Sequence, residues 1–386
     1  MLSVNFMGLQ LKNPLVVAAG PWAKNHQTIQ KAIDAGAGAV VTETITMEKS
    51  NQIYPRIYEK DGELLNTTFH STLSFETWEE ELHKLKKKGS AVICSIRGST
   101  PSELAYIATR LERWGADALE ISLFTPIGVK LENVLTEPQE IRDMLTPLAR
   151  AVGIPFSVLL PNHLACTNTY VRAVESAGAS AITAIQTIKA LWGVDLERQC
   201  SRVPTFGGYS GPHIFPITLA ATATLSQLLK HCQISAKGGV RTAENVLECI
   251  MLGASTVQLG SAVLLNGYGV ITDMLQALEA WLRDHQVNSC DEIRGVALNS
   301  LSSFEDIDPL PAKAVPCKTA GFTAAEWSLL ENCCRAAWPT RSTSARAPRY
   351  GWTAHAVTGA GCAAPCHKGC WKCSRSIRCS LQQRLV

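Results

Sequence analysis

Short apolar runs alternate with amphipathic stretches from Asn13 to Gln286. Eight runs have strand character: NPLVVAAG (13–20), GAVVTETI (38–45), SAVICSIRG (90–98), ALEISLF (118–124), PFSVLLP (155–161), AITAIQT (181–187), ISAKGGV (234–240) and STVQLGSAV (255–263). Each is nearly continuously apolar rather than alternating, the pattern of parallel strands covered on both faces. Segments of helical period lie between them. The stretch 74–88 carries Phe75, Trp78, Leu82 and Leu85 on one face. The next helix has a start signal: Thr100 as cap, Pro101 at the first helical position and Glu103 to close a capping box. Gly115 ends it, and a last helix runs from Gly269 to about Asp284. Eight strand–helix units predict an α/β fold, a (β/α)8 TIM barrel. An open doubly wound sheet is the alternative, and no GxGxxG turn follows the first strand to support it.

In such a barrel the chemistry sits where strands end. The residues there are Ala19-Gly20, Glu43-Thr44, Arg97, Phe124-Thr125, Pro161-Asn162, Gln186-Thr187, Lys237-Gly238-Gly239 and Gly260-Ser261. The last two sets are a candidate phosphate cradle, because backbone N–H groups flanked by glycine let an anion approach closely. Thr242 caps the helix behind Gly239. GGYSG (207–211) is expected as a flexible loop on the same rim.

Composition divides the chain. Hydrophobic residues make up 46%, enough for a packed core, and no apolar run has the length of a membrane span. The start lacks a basic, then apolar, leader, so a cytoplasmic protein is expected. The net charge of +3 hides a split. From Arg335 onward there are nine Lys/Arg and no Asp or Glu, which leaves residues 1–334 at −6. Five of the 14 Cys lie in that basic stretch. It lacks regular basic–aromatic spacing, so nucleic acid is not an expected partner. The body cysteines Cys94, Cys166, Cys200, Cys232, Cys249 and Cys290 show no paired spacing and read as free thiols.

The ordered blocks NPLVVAAGP, GAVVTETI, NQIYPRI, LLNTTFHS, GADALEISLFTP, IPFSVLLPN, GASAITAIQT, GGYSG and KGGVRTAENVLECIMLGASTVQLGSA resemble the dihydroorotate dehydrogenase and dihydropyrimidine dehydrogenase family. IKALWGVDL (188–196) and NGYGVITDM (266–274) look most like its pyrimidine-reducing branch. The likeness spans residues 1–310 and implies an FMN-binding barrel whose flavin exchanges a hydride with a pyrimidine-like ring. It implies cofactor contacts at Ala19, Gly20, Glu43, Thr44, Val158, Gly211, Gly238, Gly239, Gly260 and Ser261. It implies substrate contacts at Asn66, Ser122, Gln186 and Thr187. It further implies a homo-oligomer and an electron-transfer flavoprotein subunit as partner.

The chain departs from that family at the chemistry. The family's Asn-x-Ser-Cys-Pro becomes Ser122-Leu123-Phe124-Thr125-Pro126, so Thr125 stands where the catalytic Cys moves a proton. A thiol titrates near neutral pH and a hydroxyl does not without help; another branch uses Ser there. A second substrate Asn becomes Gln186. The family's flavin-contacting lysines become Glu43 and Val158. His70, His163 and Arg97 are further candidates, with a surface-loop reading for the two histidines. Three functions stay open: an FMN enzyme on a changed substrate, a degenerate barrel with a scaffold or regulatory role, or a binder of another phosphorylated ligand.

Residues 311–386 form a Cys-containing extension with no strand or helix periodicity from Arg335, expected to be poorly ordered. It lies where relatives continue into a ferredoxin-like module, but Cys362, Cys366, Cys370 and Cys373 spell C-x3-C-x3-C-x2-C, not a ferredoxin run. An iron–sulfur cluster or zinc on these four thiolates is one expectation. A shifted reading frame across a ferredoxin-encoding end is another.

Overall fold

The computed structural model describes residues 1–48, 54–67, 70–124, 127–128 and 137–307. Thr125 and the four cysteines Cys362, Cys366, Cys370 and Cys373 lie outside the described residues, as does the expectation of disorder in the extension. Met1–Leu301 forms one compact unit.

Eight parallel strands close into a barrel: β1 (Leu15–Val17), β2 (Ala39–Val41), β3 (Ala91–Ile96), β4 (Ala118–Ser122), β5 (Phe156–Leu160), β6 (Ala181–Ala184), β7 (Gln233–Lys237) and β8 (Thr256–Leu259). Each follows the last around the ring, and β8 pairs with β1. A helix packs outside after each: α1 (His26–Asp34), α2 (Thr77–His83), α3 (Pro101–Arg113), α4 (Pro138–Ala151), α5 (Asn168–Ser176), α6 (Phe215–Leu228), α7 (Ala243–Met251) and α8 (Gly269–Asp284). The expected (β/α)8 barrel is what forms. The strands are shorter than the apolar runs, because each run continues into the loop that shapes the mouth.

Strand register tells which side chains face inward, since residues paired across parallel strands share a face and neighbours along a strand alternate. Glu120 pairs with Ser95 and Ser157, Thr183 with Leu159 and Ser235, and Lys237 with Gln258. Glu120 accepts hydrogen bonds from Thr183 Oγ1 (2.9 Å) and Gln258 Nε2 (2.7 Å) across the barrel, so this set faces the axis. The alternate set, including Ile121, Val158 and Ile182, faces the helices and forms the apolar layer. The interior is thus polar where most barrels are filled with branched apolar side chains.

The two ends differ. At the N-terminal end a hairpin, Val4–Phe6 with Leu9–Leu11, closes the barrel with buried Val4, Phe6 and Leu11. Gln233, at the start of β7, holds it by accepting from Met7 N (2.6 Å) and donating to Asn5 O (3.0 Å). At the mouth, the segments after β2 and β6 form a four-stranded antiparallel sheet in the order Ile188–Ala190, Gly207–Ser210, Glu63–Asn66, Ile57–Lys60. The GGYSG segment is therefore a strand of this rim sheet rather than a flexible loop.

Capping follows the sequence with one change. Thr100 Oγ1 accepts from Glu103 N, but the Glu103 carboxylate reaches Ser99 N (2.7 Å) instead of the Thr100 N–H, so the box is opened by one residue. Thr242 and Asn245 form a full capping box at α7. No helix among the described residues is long and apolar enough to cross a membrane.

Candidate active site

A cleft opens at the mouth between β1, β6, β7, β8 and the rim sheet. Ala18, Ala19, Ile57, Leu64, Ile185, Ile214 and Leu264 make its apolar walls; Asn66, Thr187, Ser210 and Ser261 supply neutral polar groups. Of the residues implied by the resemblance, the cleft gathers Ala19, Asn66, Thr187, Gly238, Gly239, Gly260 and Ser261. Asn66 comes from the far side of the ring because its strand pairs with Gly208 on one edge and Ile57 on the other.

The glycines at β7 are required by geometry. Gly238 and Gly239 have φ of +125° and +74°. A Cβ on Gly239 would stand 2.7 Å from Phe215 N and 2.8 Å from Gly211 O. The turn thus nests against the start of α6 with Gly211 behind it, and its bare backbone faces the cleft. A side chain in this turn would fill the cradle or break its support. Together with the apolar walls, this backbone suits a flat ligand bearing an anionic tail, so the residues present fit a flavin mononucleotide.

Other implied residues lie elsewhere. Gly20 sits beneath the indole of Trp22, which also crosses Gly260; a Cβ on Gly20 would come within 2.5 Å of that ring. Ser122 and Gln186 come together on one acceptor, the Phe124 carbonyl, with Gln186 Nε2 and Ser122 Oγ both donating to it. They anchor the backbone that leads to Thr125 and do not line the cleft wall. Thr44 Oγ1 pairs with Ser95 Oγ (3.0 Å). Val158 is fully buried on the helix-facing side of β5. Glu43 is 2% exposed and bonds Arg56 Nη2 at 2.9 Å. Burial pushes its carboxyl pKa up and the Arg56 guanidinium opposes the rise. Its charge is therefore neutralised in the wall rather than aimed at the cleft.

His70 is 3% exposed, not a surface-loop residue. Burial, and then the charge of Arg97, lower its pKa to about 4, so the imidazole is neutral at physiological pH. His163 is exposed, as expected, but lies in a short helix, Asn162–Ala165, rather than a loop. Arg97 donates to the Leu123 carbonyl (3.3 Å). The six described body cysteines are all free. Among the described residues no group of three His, Cys, Asp or Glu is placed to hold a metal.

Two site residues carried no assigned role in the sequence reading. Trp22 donates from Nε1 to Ala18 O (2.6 Å), and its own carbonyl accepts from Tyr268 Oη (2.7 Å), so its ring is fixed in the cleft. Its signal was a large aromatic directly after the Gly-Pro that ends the first strand. Lys237 is half-buried and lines the cleft floor. Its signal was a lone charge inside an apolar strand.

These features define a (β/α)8 barrel with its ligand cleft at the strand C-termini. The chain belongs to the dihydroorotate dehydrogenase family: residues 1–282 match the family profile described as "Dihydroorotate dehydrogenase". It is 33% identical over 308 residues to the dihydroorotate dehydrogenase B (NAD(+)) catalytic subunit of Pyrococcus abyssi, covering 77% of this chain and 99% of that protein. The corresponding Thermoplasma acidophilum subunit is 29% identical over 304 residues, 77% of this chain and 99% of that protein. The NAD-dependent dihydropyrimidine dehydrogenase subunit PreA of Escherichia coli K12 is 26% identical over 328 residues, 80% of this chain and 79% of that protein. Both branches of the resemblance are thus among its relatives.

Proposed function

We propose that this chain is an FMN-dependent oxidoreductase acting on a C–C bond of a dihydroorotate- or dihydropyrimidine-like ring. The observation that carries this is the meeting, in one cleft of a family barrel, of the glycine turn at β7–β8, an apolar slot and polar groups from the opposite rim. Gly238, Gly239, Gly260 and Ser261 would hold the phosphate, with Gly211 as support. Ala19 and the Trp22 indole, which covers Gly20, would face the ring system. Asn66 and Thr187 would bind the substrate's amide and carbonyl groups. Bound there, FMN supplies hydride acceptance and donation. The chain supplies orientation, a water-poor slot, and a proton-transfer group on the segment held by Ser122 and Gln186, for which Thr125 is the candidate.

The names of the relatives describe subunits of larger enzymes, which supports a partner subunit that exchanges electrons with this one. A homo-oligomer and a cytoplasmic location belong to the same reading.

The purified protein is expected to carry the yellow absorbance of oxidised flavin and to bleach with dihydroorotate or a dihydropyrimidine. A colourless protein that takes up no added FMN refutes the proposal. Thr125→Cys tests the proton-transfer role. A thiol of matched pKa is expected to raise pyrimidine turnover by about 10²-fold, the scale of general acid–base catalysis. Unchanged turnover with FMN bound removes Thr125 from the reaction.

A further inference from the structure

Among the described residues that line the cleft, Lys237 carries the only charge. It is the last residue of β7, and its pairing with Gln258 turns its side chain to the barrel axis, below the Gly238-Gly239 turn. No carboxylate among the described residues lies within ion-pair distance of its ammonium. Glu120 across the barrel is its electrostatic counterpart. Burial pulls the lysine's pKa down and Glu120 pushes it back up. The floor beneath is rich in acceptors: Glu120 Oε1 and Gln258 Oε1 are buried without a hydrogen-bond partner. The carboxylate thus helps keep the lysine protonated without claiming it.

A half-buried cation with no carboxylate in ion-pair reach, at the floor of a mostly apolar cleft, favours a ligand anion beside it. A flavin mononucleotide offers two negative loci. Its phosphate is fixed. The pyrimidine edge of its ring gains charge only on reduction. The phosphate belongs with the backbone of the glycine turn on the rim, whereas Lys237 points inward from the strand beneath it. We propose that Lys237 meets the pyrimidine edge of the flavin ring and favours the reduced form. This rests on the FMN reading above. Lys237 is then a tuning residue for the cofactor, and Glu120 positions its charge.

The test uses the full-length protein, stripped of flavin and reloaded with FMN or riboflavin. The readouts are affinities for oxidised ligand and the two-electron midpoint potential. Wild type is expected to bind FMN; if it does not, both this proposal and the FMN reading fall. Lys237→Met is expected to bind oxidised FMN within about threefold of wild type. It is expected to lose about tenfold of its preference for reduced over oxidised flavin, a downward shift of about 30 mV. Lys237→Arg, which keeps the charge, is expected to hold the wild-type potential. If Lys237→Met binds FMN with an unchanged potential, the proposal fails while the FMN reading stands. A loss of FMN affinity with riboflavin affinity intact would assign Lys237 to the phosphate and overturn the proposal in the same way. Should Lys237→Met not fold, Lys237→Gln gives the same neutral comparison.

Discussion

His70 shows how burial alone sets chemistry. The imidazole sits beside Arg97 with 3% of its surface exposed, and its pKa falls from 6.5 to about 4. A depressed folded pKa contributes stability above the unfolded value that is lost as pH falls through the folded one. The unfolded chain takes up a proton near 6.5 that the folded chain refuses until about 4. Across that window the wild type is expected to lose roughly 3 kcal/mol, at 1.36 kcal/mol per unit. His70→Gln cannot titrate, so urea melts at a series of pH values should show this acid loss reduced in the variant. A variant with the same pH slope as wild type would show that the fold leaves the His70 pKa unshifted. The same neutrality limits His70 as a stand-in acid in the reaction: it can accept a proton at neutral pH but has none to spare.

At the scale of elements, the mouth is held by joints between the barrel and the long segment after β2. Glu43 follows β2, and Arg56 precedes the rim strand Ile57–Lys60. Their ion pair, 3% and 16% exposed at the side chains, ties the two together. Removing one partner of a buried pair costs about 3–5 kcal/mol. Arg56→Met is expected to destabilise by that order and to loosen the strand carrying Asn66. Without Arg56 the Glu43 carboxyl pKa, already raised by burial, rises further. A raised folded pKa gives stability that is present at low pH and lost as pH rises. The deficit of Arg56→Met against wild type should therefore narrow on going from about pH 8 to about pH 5. A deficit that widens on acidification would exclude the buried pair as its source.

These joints mark the boundary of what the sequence could tell. Barrel strands are legible because burial on both faces writes a continuous apolar run, and helices because their caps are local, as at Thr242. The rim sheet joins Glu63–Asn66 to Gly207–Ser210, far apart in sequence, and leaves no local pattern; hence GGYSG read as a loop. Register decides the fate of single residues in the same way. Val158 and Lys237 both sit in apolar strands, but parity sends one to the helices and the other into the cleft. Asn66 came only through the resemblance, whereas Thr187 and the glycines were recoverable because they end a run or form a turn. Trp22 was not, because nothing local says that its ring folds back over Gly20.

For the whole molecule, the compact unit Met1–Leu301 ends well before the charge break at Arg335. The acidic part holds a complete barrel within Met1–Leu301, with its own core, N-terminal plug and cleft. A chain ending at residue 307 contains every described element, so it is expected to fold and to bind FMN. Binding is then readable as stability, because a ligand that binds only the folded state adds RT ln(1 + [L]/Kd). At a hundredfold excess over Kd this is about 2.7 kcal/mol. A chain of about 300 residues unfolds with an entropy of roughly 0.6 kcal/mol/K, so FMN should raise the melting temperature of this shortened chain by about 4 °C. Riboflavin, which lacks the phosphate, should raise it less if the glycine turn holds that group. Equal shifts for the two ligands would remove the phosphate cradle from the account. A folded chain that neither ligand shifts would refute the flavin reading at the level of the barrel itself, whatever residues 308–386 contribute.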